Sequence, residues 1–186
     1  MKKLLFVAAF LMATVAASAQ GWWAGGRVSY FYEKQKNADG GINSIGFAPE
    51  AGYDFNDKWG VAMAIGYDGS FDRSNRNLDV NNNTLYIQPY VRYKFAHLGN
   101  ATFFVDGAVT YGYNSQSTQV GNFKTVVGHS VDVGVYPGFA YAFCDKAVLA
   151  CRFGFLGFQH DGLNDTNGFG FDFSSYSLGL SMYFAL

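Results

Sequence analysis

Charge, proline, cysteine and long apolar runs are all scarce in this chain of 186 residues. Charged residues make up 15%, against about 25% in ordinary soluble domains. The formal net charge is −1 and there is no basic run, which argues against a nucleic-acid surface. Three prolines stand against 23 glycines, and a coiled coil or helical bundle would not tolerate that much glycine. Beyond the first residues no apolar stretch approaches the roughly 18–20 residues of a membrane-spanning helix, so insertion into a bilayer has to use strands. What the chain does have is bulk: 49% hydrophobic and 19% aromatic residues, far too much for a disordered segment. The remaining class is a glycine- and aromatic-rich β protein.

The first 19 residues read as an address. Met1-Lys2-Lys3 is basic, residues 4–15 are apolar, and Ala17-Ser18-Ala19 is an A-x-A cleavage site, the layout of a secretory signal peptide. The domain proper is then 20–186. Cleavage removes Lys2 and Lys3 and no acidic residue, so the mature chain is the more acidic one.

Apolar and polar residues then alternate with period two, the strand signal. In residues 84–95, Leu85, Ile87, Pro89, Val91, Tyr93 and Phe95 share one face, with Thr84, Tyr86, Gln88, Tyr90, Arg92 and Lys94 opposite. Residues 44–55, 127–143 and 175–186 repeat the pattern, and four more strands fall at 22–32, 59–67, 101–113 and 147–158. Eight strands of about 10 residues have the length a tilted strand needs to cross a bilayer. The connections alternate between short turns and polar loops at 34–43, 68–83, 114–124 and 160–170, an asymmetry typical of outer-membrane barrels.

A Pro-x3-Tyr-x-Phe repeat occurs at Pro49/Tyr53/Phe55, Pro89/Tyr93/Phe95 and Pro137/Tyr141/Phe143, echoed by Leu180/Phe184/Leu186. With Trp59 these aromatics form a ring near the short turns; Tyr32, Tyr67, Tyr113 and Phe171 form a second ring near the long loops. Two aromatic rings around an apolar band are what the two interfaces of a bilayer select. Mid-strand prolines remove ladder hydrogen bonds, and local bulges are the expected remedy.

The fold class is therefore an all-β, eight-stranded antiparallel up-and-down transmembrane barrel with a filled lumen, since eight strands enclose little more than their own side chains. The alternative is a soluble lipocalin-like carrier, supported by Gly21-Trp22-Trp23, with the apolar face turned inward. The leader, the eight amphipathic strands and the ending Tyr183-Phe184-Ala185-Leu186 resemble the small outer-membrane β-barrel family, the OmpX type and the OmpA transmembrane domain. The leader's Ala-Ser-Ala-Gln ending resembles those common in Bacteroidota. The resemblance implies residence in the outer membrane after Sec-type export, with outer-membrane lipid around the barrel. It also implies an assembly signal at Tyr183, Phe184 and Leu186 read by the barrel-assembly machinery, although the last residue here is leucine and not the usual phenylalanine.

By alternation Arg27, Glu50, Arg92, Lys94, Asp106, Asp132 and Arg152 point into the lumen. They form either a paired plug or a pore lining; in so narrow a barrel the plug is favoured. Tyr53, Phe55, Trp59, Tyr93, Phe95, Tyr141, Phe143 and Phe184 are the interface aromatics. A lipid-modifying enzyme would need a histidine, a serine and an acid in mutual reach, but His129 falls on the opposite face from Ser130 and Asp132, so no catalytic site is read. Asp161-Gly-Leu-Asn-Asp165 lacks the spacing of a calcium loop, and no metal or cofactor is expected. Cys144 lies in a turn and Cys151 on the opposite face of the next strand, beyond the roughly 7 Å Cα limit for bridging, so both are expected as free thiols. Function is expected in the four polar loops, as adhesion or recognition of an external ligand, with a narrow solute channel as the alternative.

Overall fold

The structure is a computed structural model that describes residues 21–33, 40–75, 78–120, 122–144, 146–172 and 179–186; the leader at 1–19 lies outside them. The described residues form ten β segments and no helix: β1 (Trp22–Glu33), β2 (Ile42–Asp54), β3 (Trp59–Asn75), β4 (Leu78–Leu98), β5 (Ala101–Val120), β6 (Asn122–Cys144), β7 (Ala147–Arg152), β8 (Phe155–Asp161), β9 (Thr166–Asp172) and β10 (Gly179–Ala185). β7 and β8 both pair with β6 and form one strand, while β9 pairs with β8 and β10 with β7, so that both occupy the eighth position in the sheet. Every pairing is antiparallel, and β1–β10 and β5–β6 close the sheet on itself. The result is a closed eight-stranded barrel, its β1–β10 seam laddered over Trp23–Arg27, closure being what a membrane-spanning sheet requires.

The apolar face of each ribbon points outward. Ile45, Phe47, Met63, Ile65, Leu85, Ile87, Val109, Val133 and Met182 are all exposed, whereas their alternates Ala48, Ala64, Gln88, Ala108 and Ser181 are buried. That polarity suits a barrel sheathed in lipid and is the reverse of what the lipocalin-like alternative needs. The two thiols are free, as alternation requires.

The loop expectation is corrected at three sites. Residues 68–75 and 78–83 belong to β3 and β4, which stay paired from Asp68↔Thr84 up to Asn75↔Leu78. Residues 114–120 and 122–124 belong to β5 and β6, whose ladder runs to Val120↔Asn122. Within 160–170 only the turn after Asp161 is unpaired before β9 begins at Thr166. Of 34–43, residues 34–39 lie outside the described part and Ile42 opens β2. What reads as loop is strand, because both faces of a ribbon standing in water take polar side chains and period-two contrast disappears.

The proline expectation holds at one site out of three. Pro49 pairs with Gly26 on one side, and the β2–β3 ladder skips Ala48 and Pro49 and resumes in the same register. Pro89 behaves alike, paired with Met63 but skipped by the β4–β5 ladder without a register shift. A missing N–H removes one bond on one side only, so no extra residue is needed. At Pro137 the partner strand does bulge: β7 gives way to β8 at Phe153 and Gly154, Gly154 takes φ 84°, and Phe153 N donates to Pro137 O at 2.9 Å. Only glycine adopts that φ without strain.

Candidate functional site

The lumen is occupied by a charged layer built from strands on opposite sides of the barrel. Arg92 and Asp106 are register partners on β4 and β5, and Arg92 donates to both carboxylate oxygens, Nε to Oδ1 at 2.8 Å and Nη2 to Oδ2 at 2.9 Å. From β7, Arg152 Nε donates to the same Asp106 Oδ2 at 2.7 Å, and its Nη2 reaches Glu50 Oε2 on β2 at 3.4 Å. Tyr90 donates its hydroxyl to that Glu50 oxygen at 2.7 Å. One carboxylate thus holds two guanidiniums, and the chain of contacts crosses from β2 to β7 through the centre. All four charged side chains are buried, where only tight pairing keeps an ion tolerable.

Aromatic rings complete the layer. The Arg92 guanidinium carbon lies 3.9 Å from the Phe104 ring centroid and 5.2 Å from that of Tyr183, within cation–π range. Arg152 lies 4.5 Å over Tyr90. Trp23 on β1 packs its ring 4.5 Å from that of Tyr183 on β10, across the seam that closes the barrel. Phe104 fits because Gly138 opposite has no side chain; a Cβ there would fall 2.5 Å from its ring.

The other three expected lumen charges lie outside this layer. Arg27 is half-buried and donates to Gln88 Oε1 at 3.3 Å, and Gln88 donates on to Thr110 at 2.8 Å. Lys94 pairs with Asp54 at 2.7 Å near the short turns. Asp132 sits opposite Thr110 in the ladder. A cavity of about 250 Å³ bordered by Trp23, Arg92, Lys94 and Tyr183 opens on the short-turn side of the layer. Another of about 320 Å³, bordered by Arg27, Asp68, Tyr86 and Arg152, opens on the other side.

Sequence reasoning took the lumen to be small residues plus charges and did not place Trp23 or Phe104 there. The signal was available, since Phe104 stands two residues from Asp106 and Trp23 four from Arg27, the same face by alternation. Tyr183, expected in the assembly signal, is a lumen residue in the folded barrel, with its hydroxyl 3.3 Å from Arg92 Nη2.

The interface aromatics all lie on the outer side near the short turns. Trp22 and Tyr53 rings approach to 5.2 Å, Trp59 and Tyr93 to 4.6 Å, and Tyr141 and Phe143 to 5.4 Å, while Phe55, Phe95 and Phe184 are exposed. His129 is outward and bonded to the Tyr111 hydroxyl at 2.9 Å, while Ser130 and Asp132 belong to the inner face, so the structure does not join the three. The Asp161 carboxylate is used by its own turn, accepting from Leu163 N at 2.9 Å and Asn164 Nδ2 at 2.6 Å. No cluster of three metal-ligating side chains occurs among the described residues.

A lipid-facing apolar wall around an ion-paired, aromatic-packed centre defines a small transmembrane β-barrel. The chain matches the family model for the outer membrane protein beta-barrel domain over residues 4–184 and belongs to that family; it is an outer-membrane protein. Neisserial surface protein A (NspA) has a similar structure, with TM-score 0.53 and 15% identity over 91% of this chain and 100% of that one. So does Ail, the attachment invasion locus protein of Yersinia pestis, with TM-score 0.53 and 14% identity over 89% and 99%. At such identities the likeness is one of fold. No curated protein matches the chain.

Proposed function

We propose that this protein is a surface-recognition scaffold. Its leader sends it through Sec-type export, its short turns face the periplasm, and its long ribbons stand outside the cell and carry the contacts of adhesion. The observation that carries this reading is the β3–β6 wall. These four strands continue as a paired ladder well past Tyr67 and Tyr113, to Asn75 and Val120, far beyond what a bilayer span requires. The filled lumen supports a scaffold over a channel, and the attachment role in Ail's name makes adhesion the activity to test.

The test uses the full chain in an outer-membrane host. A membrane-impermeant maleimide should label Ser117→Cys on intact cells in a Cys144→Ser, Cys151→Ser background, while in the separate Cys151→Ser chain the retained Cys144, exposed beside a short turn, should stay unlabelled. Removing residues 71–81 and 116–125 should abolish adherence to host cells with the barrel still heat-modifiable on gels. Unchanged adherence would overturn the reading.

A further inference from the structure

We infer that the outward face at the base of the β3–β6 wall is a contact surface for sugar, and that its occupant is the saccharide of the outer-leaflet glycolipid surrounding the barrel. The inference rests on the sidedness given above. Tyr67 is half-exposed on the outer face, and its ring lies forward along β3 over Gly69. A Cβ at Gly69 would meet the Tyr67 hydroxyl at 2.9 Å and its ring at 3.3 Å. The hydroxyl is held by Asn83 Oδ1 on β4 at 2.6 Å. An ordinary interfacial tyrosine projects from its strand; this one is laid flat by a missing side chain and pinned by an amide.

The surroundings match. By alternation with the exposed Leu85, Tyr113 and Val127, the outward neighbours are Asn81, Asn83, Ser115, Ser117 and Thr125. Ser117 and Thr125 hydroxyls lie 3.3 Å apart. A second aromatic group stands beside them, with the His129 ring stacked 5.7 Å from Tyr111 and edge-on to Tyr113 at 5.5 Å. A flat ring offers its face to the C–H side of a pyranose, and amides and hydroxyls pair with sugar hydroxyls as donors and acceptors. A phosphate or an acidic peptide would call for arginine or lysine among the pinned ring's neighbours; the described outward side chains from Tyr67 to Phe71, Asn81 to Leu85, Tyr113 to Ser117 and Thr125 to His129 include neither, and the nearest outward cation, the exposed Arg73, stands above Phe71 at the far end of the strip. The strip also continues directly from the lipid-facing wall on the same strands, so the layer it meets is the headgroup layer of the leaflet in which the barrel sits.

The experiment places the purified full chain in phospholipid vesicles doped with rough lipopolysaccharide, which carries core sugars, or with lipid A lacking them. The readout is the temperature at which half the protein loses its folded gel mobility. Core sugars should raise that midpoint relative to lipid A, because a ligand that binds only the folded state stabilises it. Tyr67→Ala and Gly69→Val should both erase the difference, each variant being compared with its own lipid A midpoint; the second retains the tyrosine and only lifts its ring. Equal midpoints with and without core sugars, or a difference that survives both variants, would overturn the proposal. So would full stabilisation by free core oligosaccharide, which would make the surface a receptor for soluble glycan. Failure of the cell-surface labelling at Ser117→Cys would instead remove the sidedness while the vesicle difference persisted.

Discussion

Below the outer tyrosines each ribbon shows opposite chemistries to its two sides; above them the same ribbons show much the same chemistry to both. In β4, Val91 faces lipid while Arg92 is buried in the lumen, yet nearer the start of the same strand Asn81, Asn82 and Asn83 follow one another. In β5, Val109 outside and Thr110 inside give way to Asn114, Ser115, Gln116 and Ser117. Contrast between alternate residues therefore reports contrast between two solvents, and it ends where water lies on both sides. The ladder hydrogen bonds themselves continue unchanged across this boundary, so the backbone does not mark it.

The lower region should break most severely at Asp106. Its carboxylate neutralises two buried guanidiniums at 2.8 and 2.7 Å. Asp106→Asn keeps the shape and removes the charge, leaving both arginines dependent on Glu50. Breaking a buried pair destabilises by about 3–5 kcal/mol, so urea unfolding from lipid vesicles, followed by tryptophan fluorescence, should show a large loss at Asp106→Asn. An unchanged midpoint would mean the charged layer is hydrated and contributes nothing to holding the barrel together.

That layer was partly legible in the sequence. Alternation placed Glu50, Arg92, Asp106 and Arg152 on the inner face, because one polar face against one apolar face survives any error in strand ends. It did not say which of the seven inward charges meet, since contact across a barrel depends on register around all strands. Arg92 and Asp106 are ladder partners, but Arg152 and Glu50 come from opposite walls. The aromatics Trp23 and Phe104 were passed over because large apolar residues were assigned to lipid as a class, although a closed lumen also has volume to fill. The long ribbons were missed for the reason the two regions differ: in 68–83 and 114–124 the asparagines, serines and threonines on both faces carry no period, and a polar stretch without a period reads as loop. Proline in a strand does not by itself predict a bulge, since losing a donor on one side of Pro49 or Pro89 needs no inserted residue.

One substitution made in both regions measures the boundary directly. Val109 and Val127 are both outward valines on adjacent strands, similarly exposed in the isolated chain. Val109 lies within the apolar belt, next to the buried Ala108, and Val109→Arg sets a guanidinium against acyl chains, which costs about 2–4 kcal/mol at the bilayer midplane. Val127 stands between Thr125 and His129, and Val127→Arg sets the same group among headgroups, where the penalty falls to about 0–1 kcal/mol. Unfolding midpoints of the two variants in the same vesicles should therefore differ clearly, with the second close to the parent. Equal losses would place Val127 in the hydrocarbon and move the boundary up the ribbons; equal small effects would leave Val109 outside it and contradict the lipid-facing wall. The comparison also bears on the sugar surface, because an arginine at Val127 adds a charge beside Thr125 and His129. If the neighbouring glycolipid meets the barrel there through its sugars, the midpoint gain from core saccharide should persist in Val127→Arg and disappear only when Tyr67 is lifted or removed.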